Sequence, residues 1–171
     1  MKPTDRELPR VLTPIIAAVG QANRRRRARI GVPRCEPTPE RRAAFRAALG
    51  APGISIIAES KRRSPSEGAF VEEEDVPGRV LAYQRGGAAV ASILTEPFAF
   101  NGRRAHLSRT SRQVSLPLLR KDFLVDEDMV AESHAMGASA VLLIARVLSP
   151  CLLYTSPSPR DQRGARMPSS A

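Results

Sequence analysis

The chain has 171 residues, 42% of them hydrophobic, with 15 prolines, no tryptophan and a formal charge of +10. That is enough for one domain with a buried core, but short of the roughly 250 residues of a complete eight-stranded parallel barrel. No apolar run approaches the ~20 residues of a membrane span and the opening MKPTDRELPR lacks a secretory pattern, so a cytoplasmic chain without membrane contact is expected.

Leu8–Ile30 reads as a helix, with Leu12, Ile15, Ile16 and Val19 near helical spacing; Pro14 and Gly20 are expected to weaken or break it. Much of the positive charge is local to it, at Arg24, Arg25, Arg26, Arg27 and Arg29. Bunched arginines on a terminal helix read as a solvated face. Aromatic residues make up only 4% of the chain, leaving few platforms for stacking bases, so no nucleic-acid partner is expected. The competing reading, a basic protein that uses these arginines on RNA or DNA, requires strongly salt-dependent binding. Val32–Pro39 is a proline-rich loop. It holds Cys35, which with Cys151 forms neither a metal-ligand spacing nor a disulfide framework. Thr38 and Pro39 then suit the cap and first position of a helix that runs to about Leu49 and stops at Gly50 and Pro52-Gly53.

From Ile54 the pattern becomes strand–helix alternation. Ile54–Ala58 reads as a buried strand that ends in Glu59 and Lys61, followed by a Ser/Pro-rich loop, Ser64-Pro65-Ser66-Glu67-Gly68. A helix is expected around Asp75–Arg85, closed by Gly86-Gly87, then a strand at Ala88–Leu94 that ends in Thr95 and Glu96. A helix near Arg103–Gln113 precedes a strand at Leu116–Leu119, which ends in Lys121 and Asp122. A last helix near Glu127–Met136 and a strand at Ser139–Ala145 complete four strands and three crossovers. Strand starts recur about every 25–35 residues, the length of a βα unit with its crossover. The apolar runs do not alternate strictly, as suits a parallel sheet buried on both faces. In such folds chemistry gathers at the C-terminal strand ends, so Glu59, Lys61, Thr95, Glu96, Lys121 and Asp122 are expected to converge on one rim. Two lysines beside a carboxylate suit an anionic substrate and proton transfer.

Three strings, IIAESKRRSPSEG, GGAAVASILTEPFAFNG and VSLPLLRKDFLVDEDMVAESHAMGASAVLLIA, closely resemble the indole-3-glycerol phosphate synthase family of tryptophan biosynthesis. The similarity covers roughly Leu8 to Ser149 and is strongest from Ile54 to Ala145. The resemblance implies a (β/α)8 barrel with an N-terminal helical extension, here 1–53 as the extension and 54–150 as the first four strands. It implies a lyase that closes the ring of 1-(2-carboxyphenylamino)-1-deoxyribulose 5-phosphate with loss of carbon dioxide and water, and that needs no metal or organic cofactor. The partner implied is a small anionic phosphorylated substrate, and the parent protein is a monomer or a fusion with another tryptophan-pathway enzyme.

The resemblance also assigns roles. Lys121 matches the general acid on the substrate carbonyl. Lys61 matches the lysine that engages the anionic substrate and donates a proton during dehydration, and Glu59 its orienting or proton-transferring partner. Ser64 matches a loop residue near the substrate carboxylate. Phe100, Phe123 and Leu142 match the apolar lining of the aromatic-ring pocket. A related phosphate-binding barrel, phosphoribosylanthranilate isomerase, fits less well, because LRKDF stands where that family has an early Cys/Asp arrangement.

The sequence departs from the family at Glu67, where a lysine is frequent, and at Ser60, usually an apolar slot. The family's general-base glutamate, pocket asparagine, second catalytic Glu-Ser pair and glycine-rich phosphate site belong to strands five to eight, and Cys151–Ala171 holds no candidate for them. That segment, CLLYTSPSPRDQRGARMPSSA, loses all periodicity and reads as a non-native tail, a translated sequencing adaptor. Half a barrel leaves two sheet edges unpaired and its inner face uncovered. The chain by itself is therefore expected to self-associate on size exclusion and to form no indole glycerol phosphate above background. A monodisperse monomer that turns over substrate would contradict this reading.

Overall fold

The computed structural model describes residues 12–32, 38–64, 68–69 and 75–148. The expectations for the first residues of the N-terminal helix, the loop around Cys35 and the tail 151–171 lie outside them. In chain order the elements are α1 (Leu12–Ile30), α2 (Pro39–Gly50), β1 (Ile57–Ser60), a short hairpin of β2 (Arg63–Ser64) and β3 (Gly68–Ala69), α3 (Val76–Arg85), β4 (Val90–Leu94), α4 (Arg104–Thr110), β5 (Leu118–Lys121), α5 (Glu127–Ala135) and β6 (Ala140–Val141). Four strands form one parallel sheet in the order β1-β4-β5-β6, with one helix in each crossover. Two helices followed by this unit are the arrangement of the N-terminal half of a (β/α)8 barrel.

Three expectations need correction. Neither Pro14 nor Gly20 interrupts α1. Pro14 lies in the first turn, where a backbone N–H has no helical acceptor to lose. Gly20 is buried in mid-helix, and a Cβ there would meet Arg24 at 3.4 Å and Val125 at 3.9 Å, ordinary contact distances, so the helix passes through it without a break. The first strand begins at Ile57, three residues later than the apolar run suggests. Ile54 is 96% exposed, and Ser55 Oγ donates to the Ala48 carbonyl of α2 (3.0 Å), so the run opens as a connector. Pairing starts where Ala89 N–H donates to the Ile56 carbonyl at 2.9 Å. Finally, the strand expected at Ser139–Ala145 pairs only over Ala140–Val141, extended by one bond from Leu142 N–H to the Arg120 carbonyl (3.1 Å).

Strand alternation splits the sheet into two faces. Ala91, Ile93 and Leu118 turn towards the crossover helices and pack with Val76 and Val80 of α3, Leu107 of α4 and Ala138. Each large side chain fully buried in this layer contributes roughly 1.5–3 kcal/mol of transfer free energy. A second cluster seats α1: Leu12, Ile15, Ile16 and Val19 pack on Phe123, Leu124 and Met129, beside the C-terminal end of β5. Gly87 and Gly137, at φ 82° and 93°, end α3 and α5 in the left-handed region that suits glycine.

Arg120 of β5 points into the helix layer and is completely buried. Its guanidinium donates to Thr95 Oγ1 (3.0 Å), Asp122 Oδ2 (2.8 Å), the Met129 carbonyl (3.2 Å), Ser133 Oγ (2.9 Å) and Glu132 Oε2 (3.4 Å). Glu132 in turn receives Arg104 Nε of α4 (3.1 Å) and Arg26 of α1 (2.5 Å). Burial holds the Arg104 guanidinium below its usual range, against the opposing pull of Glu132. One carboxylate thus ties α1, α4, β5 and α5 together. Its removal leaves Arg120 buried with reduced compensation, so Glu132→Ala is expected to cost about 3–5 kcal/mol, read as a lower urea midpoint. A midpoint within experimental error of the parent would refute the assignment.

His106 of α4 is held down to about 4 from 6.5, first by burial and then by Arg62, Arg103 and Arg109. Between those values the unfolded chain takes up a proton that the folded chain refuses. Stability is therefore complete above about pH 6.5 and declines as pH falls towards 4. His106→Gln is expected to flatten that decline in thermal midpoints measured from pH 7.5 to 4; identical slopes in parent and variant would exclude His106 as its source.

Candidate functional site

β1, β4 and β5 lie side by side, with Ile57, Ala58, Glu59 and Ser60 opposite Val90, Ala91, Ser92 and Ile93, and with Ala91 to Leu94 in turn opposite Leu118 to Lys121. In this register Glu59 shares a row with Ser92 and Leu119, and Lys121 sits beside Leu94 one row-pair further along. Because Ala91, Ile93 and Arg120 face the helices, the alternation turns Glu59, Ser92, Leu94 and Lys121 to the opposite face. There the Lys121 ammonium reaches across β4 and donates to Glu59 Oε2 at 2.5 Å. Both side chains keep about a third of their surface exposed, 38% for Lys121 and 32% for Glu59, so the pair stays open to a ligand from the C-terminal rim.

Lys61 follows β1 directly, two residues beyond Glu59, and is half-buried. Ser64 contributes its backbone to β2, in register with Gly68. This hairpin, in the loop after β1, was not legible as strand. Phe100 is half-buried and packs with Phe123 in the cluster that seats α1; Phe123 is 7% exposed. Leu142 lies past β6 at the sheet edge and is 39% exposed. The structure thus brings Glu59 and Lys121 into contact, places Lys61 just past the end of β1 and puts the two phenylalanines in one apolar cluster.

The expected convergence of Thr95, Glu96 and Asp122 on the same rim is not found. Asp122 and Thr95 have the parity of Arg120, and they bond each other (Thr95 Oγ1 to Asp122 Oδ2, 2.6 Å) as well as its guanidinium. Glu96, fully buried, accepts the backbone N–H groups of Phe98 (2.7 Å), Ala99 (2.7 Å) and Phe100 (3.0 Å). Its carboxylate folds the loop that carries Phe100. Gly102 closes that loop: a Cβ there would lie 2.6 Å from the Leu94 carbonyl oxygen and 2.8 Å from Glu96 N, so only glycine fits. The two-residue alternation of a strand was the sequence signal that separates the forward-facing Lys121 from Arg120 and Asp122 on either side.

The arginine-rich end of α1 is likewise only partly a solvated face. Arg26 binds Glu132, and Arg27 pairs with Asp128 of α5 while Asn23 donates to Asp126 Oδ2 at 2.9 Å. Asp126 caps α5 by accepting Met129 N–H (2.9 Å). Arg24, Arg25 and Arg29 are exposed. Among the described residues no group of three or more His, Cys, Asp and Glu side chains could hold a metal ion, and no helix is long and apolar enough to cross a membrane. A cleft of about 130 Å³ lined by Arg41, Ser111, Leu116 and Gly137 lies at the N-terminal end of β5. It is at the opposite end of the sheet from the Lys121–Glu59 pair.

The profile of the family "Indole-3-glycerol phosphate synthase" matches residues 16–156, which includes the first residues of the segment read as a foreign tail. The chain is 50% identical over 103 residues to the indole-3-glycerol phosphate synthase of Methanopyrus kandleri, covering 59% of this chain and 41% of that protein. It is 45% identical over 109 residues to indole-3-glycerol phosphate synthase 2 of Streptomyces coelicolor, covering 64% and 42%. With the Geobacillus thermodenitrificans enzyme it shares 43% identity over 121 residues, or 69% and 47%. The chain thus spans less than half the length of these curated relatives. A family match over most of the chain, on a parallel half-barrel with lysine and glutamate paired at its C-terminal rim, makes this chain a member of the indole-3-glycerol phosphate synthase family.

Proposed function

We propose that the chain is the N-terminal part of a cytoplasmic lyase that makes indole-3-glycerol phosphate. Its substrate is 1-(2-carboxyphenylamino)-1-deoxyribulose 5-phosphate. The observation that carries this reading is the Lys121–Glu59 contact across β4, which sets an ammonium and a carboxylate on the face of the sheet opposite the helices. In this reading the Lys121 ammonium gives its proton to the substrate carbonyl oxygen as the ring carbon attacks the carbonyl carbon. The new C–C bond forms, and the carboxylate leaves as carbon dioxide, returning its electron pair to the ring. The resulting hydroxyl departs as water with a proton from Lys61, while Glu59 accepts the ring proton or orients that lysine. Paired ammonium and carboxylate groups on rigid strands suit these transfers, because the barrier falls most when donors are already aimed at developing charge.

Ser64 belongs in this reading near the substrate carboxylate. Phe100, Phe123 and Leu142 form the apolar side of the ring pocket. The packing of Phe100 and Phe123 against α1 supports the view that the N-terminal extension sets the position of that wall. The phosphate is held by strands beyond this half. The whole protein acts as a monomer or within a fusion.

The test joins the chain to the C-terminal half of one of its relatives and follows product by fluorescence. Lys121→Ala is expected to lower kcat about 10²-fold or more, the range for a lost general acid. Lys61→Ala is expected to raise KM and lower kcat together. Turnover by the Lys121 variant near that of the parent would remove Lys121 from the chemistry.

A further inference from the structure

Ser92 is the middle residue of β4, with Glu59 and Leu119 as its partners on the two flanking strands. It is 3% exposed, and its Oγ is buried without a hydrogen-bond partner. Ala91 and Ile93 on either side pack into the helix layer, so Ser92 faces the same way as Glu59 and Lys121. Those two residues stand on strands separated by β4, roughly two strand spacings or about 10 Å apart. Their side chains meet over β4, with Ser92 in the row of Glu59 and Leu94 in the row of Lys121. A large residue at 92 would hold the pair apart. Room alone does not call for a hydroxyl, since alanine would provide it without a buried donor left unused.

We propose that Ser92 is a positioning residue for Glu59. When Lys121 leaves Glu59 to engage substrate, the carboxylate loses its ammonium donor in a half-buried site. The Ser92 hydroxyl, free to rotate about its C–O bond, then donates to that carboxylate and lowers the cost of the exchange. The step moves hydrogen bonds only; no covalent bond is made or broken. The proposal rests on the reading of Lys121 as the acid that moves to substrate.

Two measurements test it. In the full chain carrying Lys121→Met, which mimics the departed ammonium, the ¹³C signal of the Glu59 carboxylate is expected to show an H/D isotope shift transmitted from a hydroxyl. The shift is expected to vanish when Ser92→Ala is added and to survive Ser92→Thr. Its absence from the Lys121→Met chain overturns the proposal, whether or not the synthase reading holds. In the chain joined to a relative's C-terminal half, Ser92→Ala is expected to lower kcat about 10-fold with KM within about twofold, and Ser92→Thr to recover most of the loss. In a Glu59→Gln background Ser92→Ala is expected to have no further effect. The thermal midpoint of Ser92→Ala is expected to equal or exceed that of the parent, because an unpartnered hydroxyl has been removed. A Ser92→Ala loss that persists undiminished in the Glu59→Gln background, or a kcat within twofold of an active parent, also overturns it. Lack of product from the parent fusion itself counts against the synthase reading and leaves the isotope-shift result to decide the role of Ser92.

Discussion

The fold depends on what happens to one guanidinium. Arg120 lies at the centre of a parallel strand, wholly out of water, and each of its three nitrogens finds an oxygen. Such a charge is not a source of stability in the way an apolar side chain is, because taking it out of water costs as much as its partners return. It is a constraint. Asp122, Glu132, Thr95, Ser133 and the Met129 carbonyl must all be present and correctly placed, or a buried cation is left uncompensated. These partners come from β5, α5 and the end of β4. The arrangement therefore fixes how the third crossover lies on the sheet, and Glu132 extends the constraint to α4 through Arg104 and to α1 through Arg26.

Lys121 inherits its position from this. It is flanked in sequence by the two residues most firmly anchored on the helix side, Arg120 and Asp122, and a strand can send neighbours only to opposite faces. With both neighbours pinned behind the sheet, Lys121 is held forward. Glu59 is fixed in a similar way on β1. The following Ser60 is 3% exposed, and the Glu59 carbonyl accepts a hydrogen bond from Tyr83 of α3 at 3.0 Å. The forward pair is thus aimed from behind the sheet, through neighbouring residues and its own backbone, which is how a rigid scaffold supplies orientation.

How much of this could be read in the sequence follows from what each pattern encodes. The helices α3 and α5 were legible to within a residue or two because glycines follow them and apolar residues recur along one face. β1 was misplaced because three isoleucines within four residues look like a strand wherever they fall, while pairing is set by the partner strand, and the β4 side begins to bond only at the Ile56 carbonyl. The family resemblance singled out Glu59 and Lys121, but their contact was not legible, since it spans 62 positions and passes over a third strand. Thr95, Glu96 and Asp122 were misjudged because polarity at a strand end was taken to mean the rim. The periodicity of two already assigned Asp122 to the other face. Thr38 was a partial success. It precedes α2 as a cap should, yet its side chain makes no bond to the helix, and its N–H donates instead to His134 Nε2 at 2.7 Å. A local motif names the position, but the tertiary neighbour takes the hydrogen bond.

The basic character of the chain follows from the same logic. A charge of +10 invites the idea of a polyanionic partner, yet the best-placed arginines of α1 are spent on acidic groups of the same chain. Arg26 and Arg27 stand three and four residues beyond Asn23, so one stripe of the helix meets Glu132, Asp128 and Asp126 in a single pass, while Leu12, Ile15, Ile16 and Val19 bury the earlier turns. Polar and apolar halves of one helix face therefore dock on consecutive parts of the β5–α5 connection. Docking by charge at one end and by apolar contact at the other fixes the helix against both rotation and sliding, which a purely apolar stripe does not. Phe100 and Phe123 lie against the apolar half, so the first turns of α1 and the loop after β4 share one cluster with the end of β5.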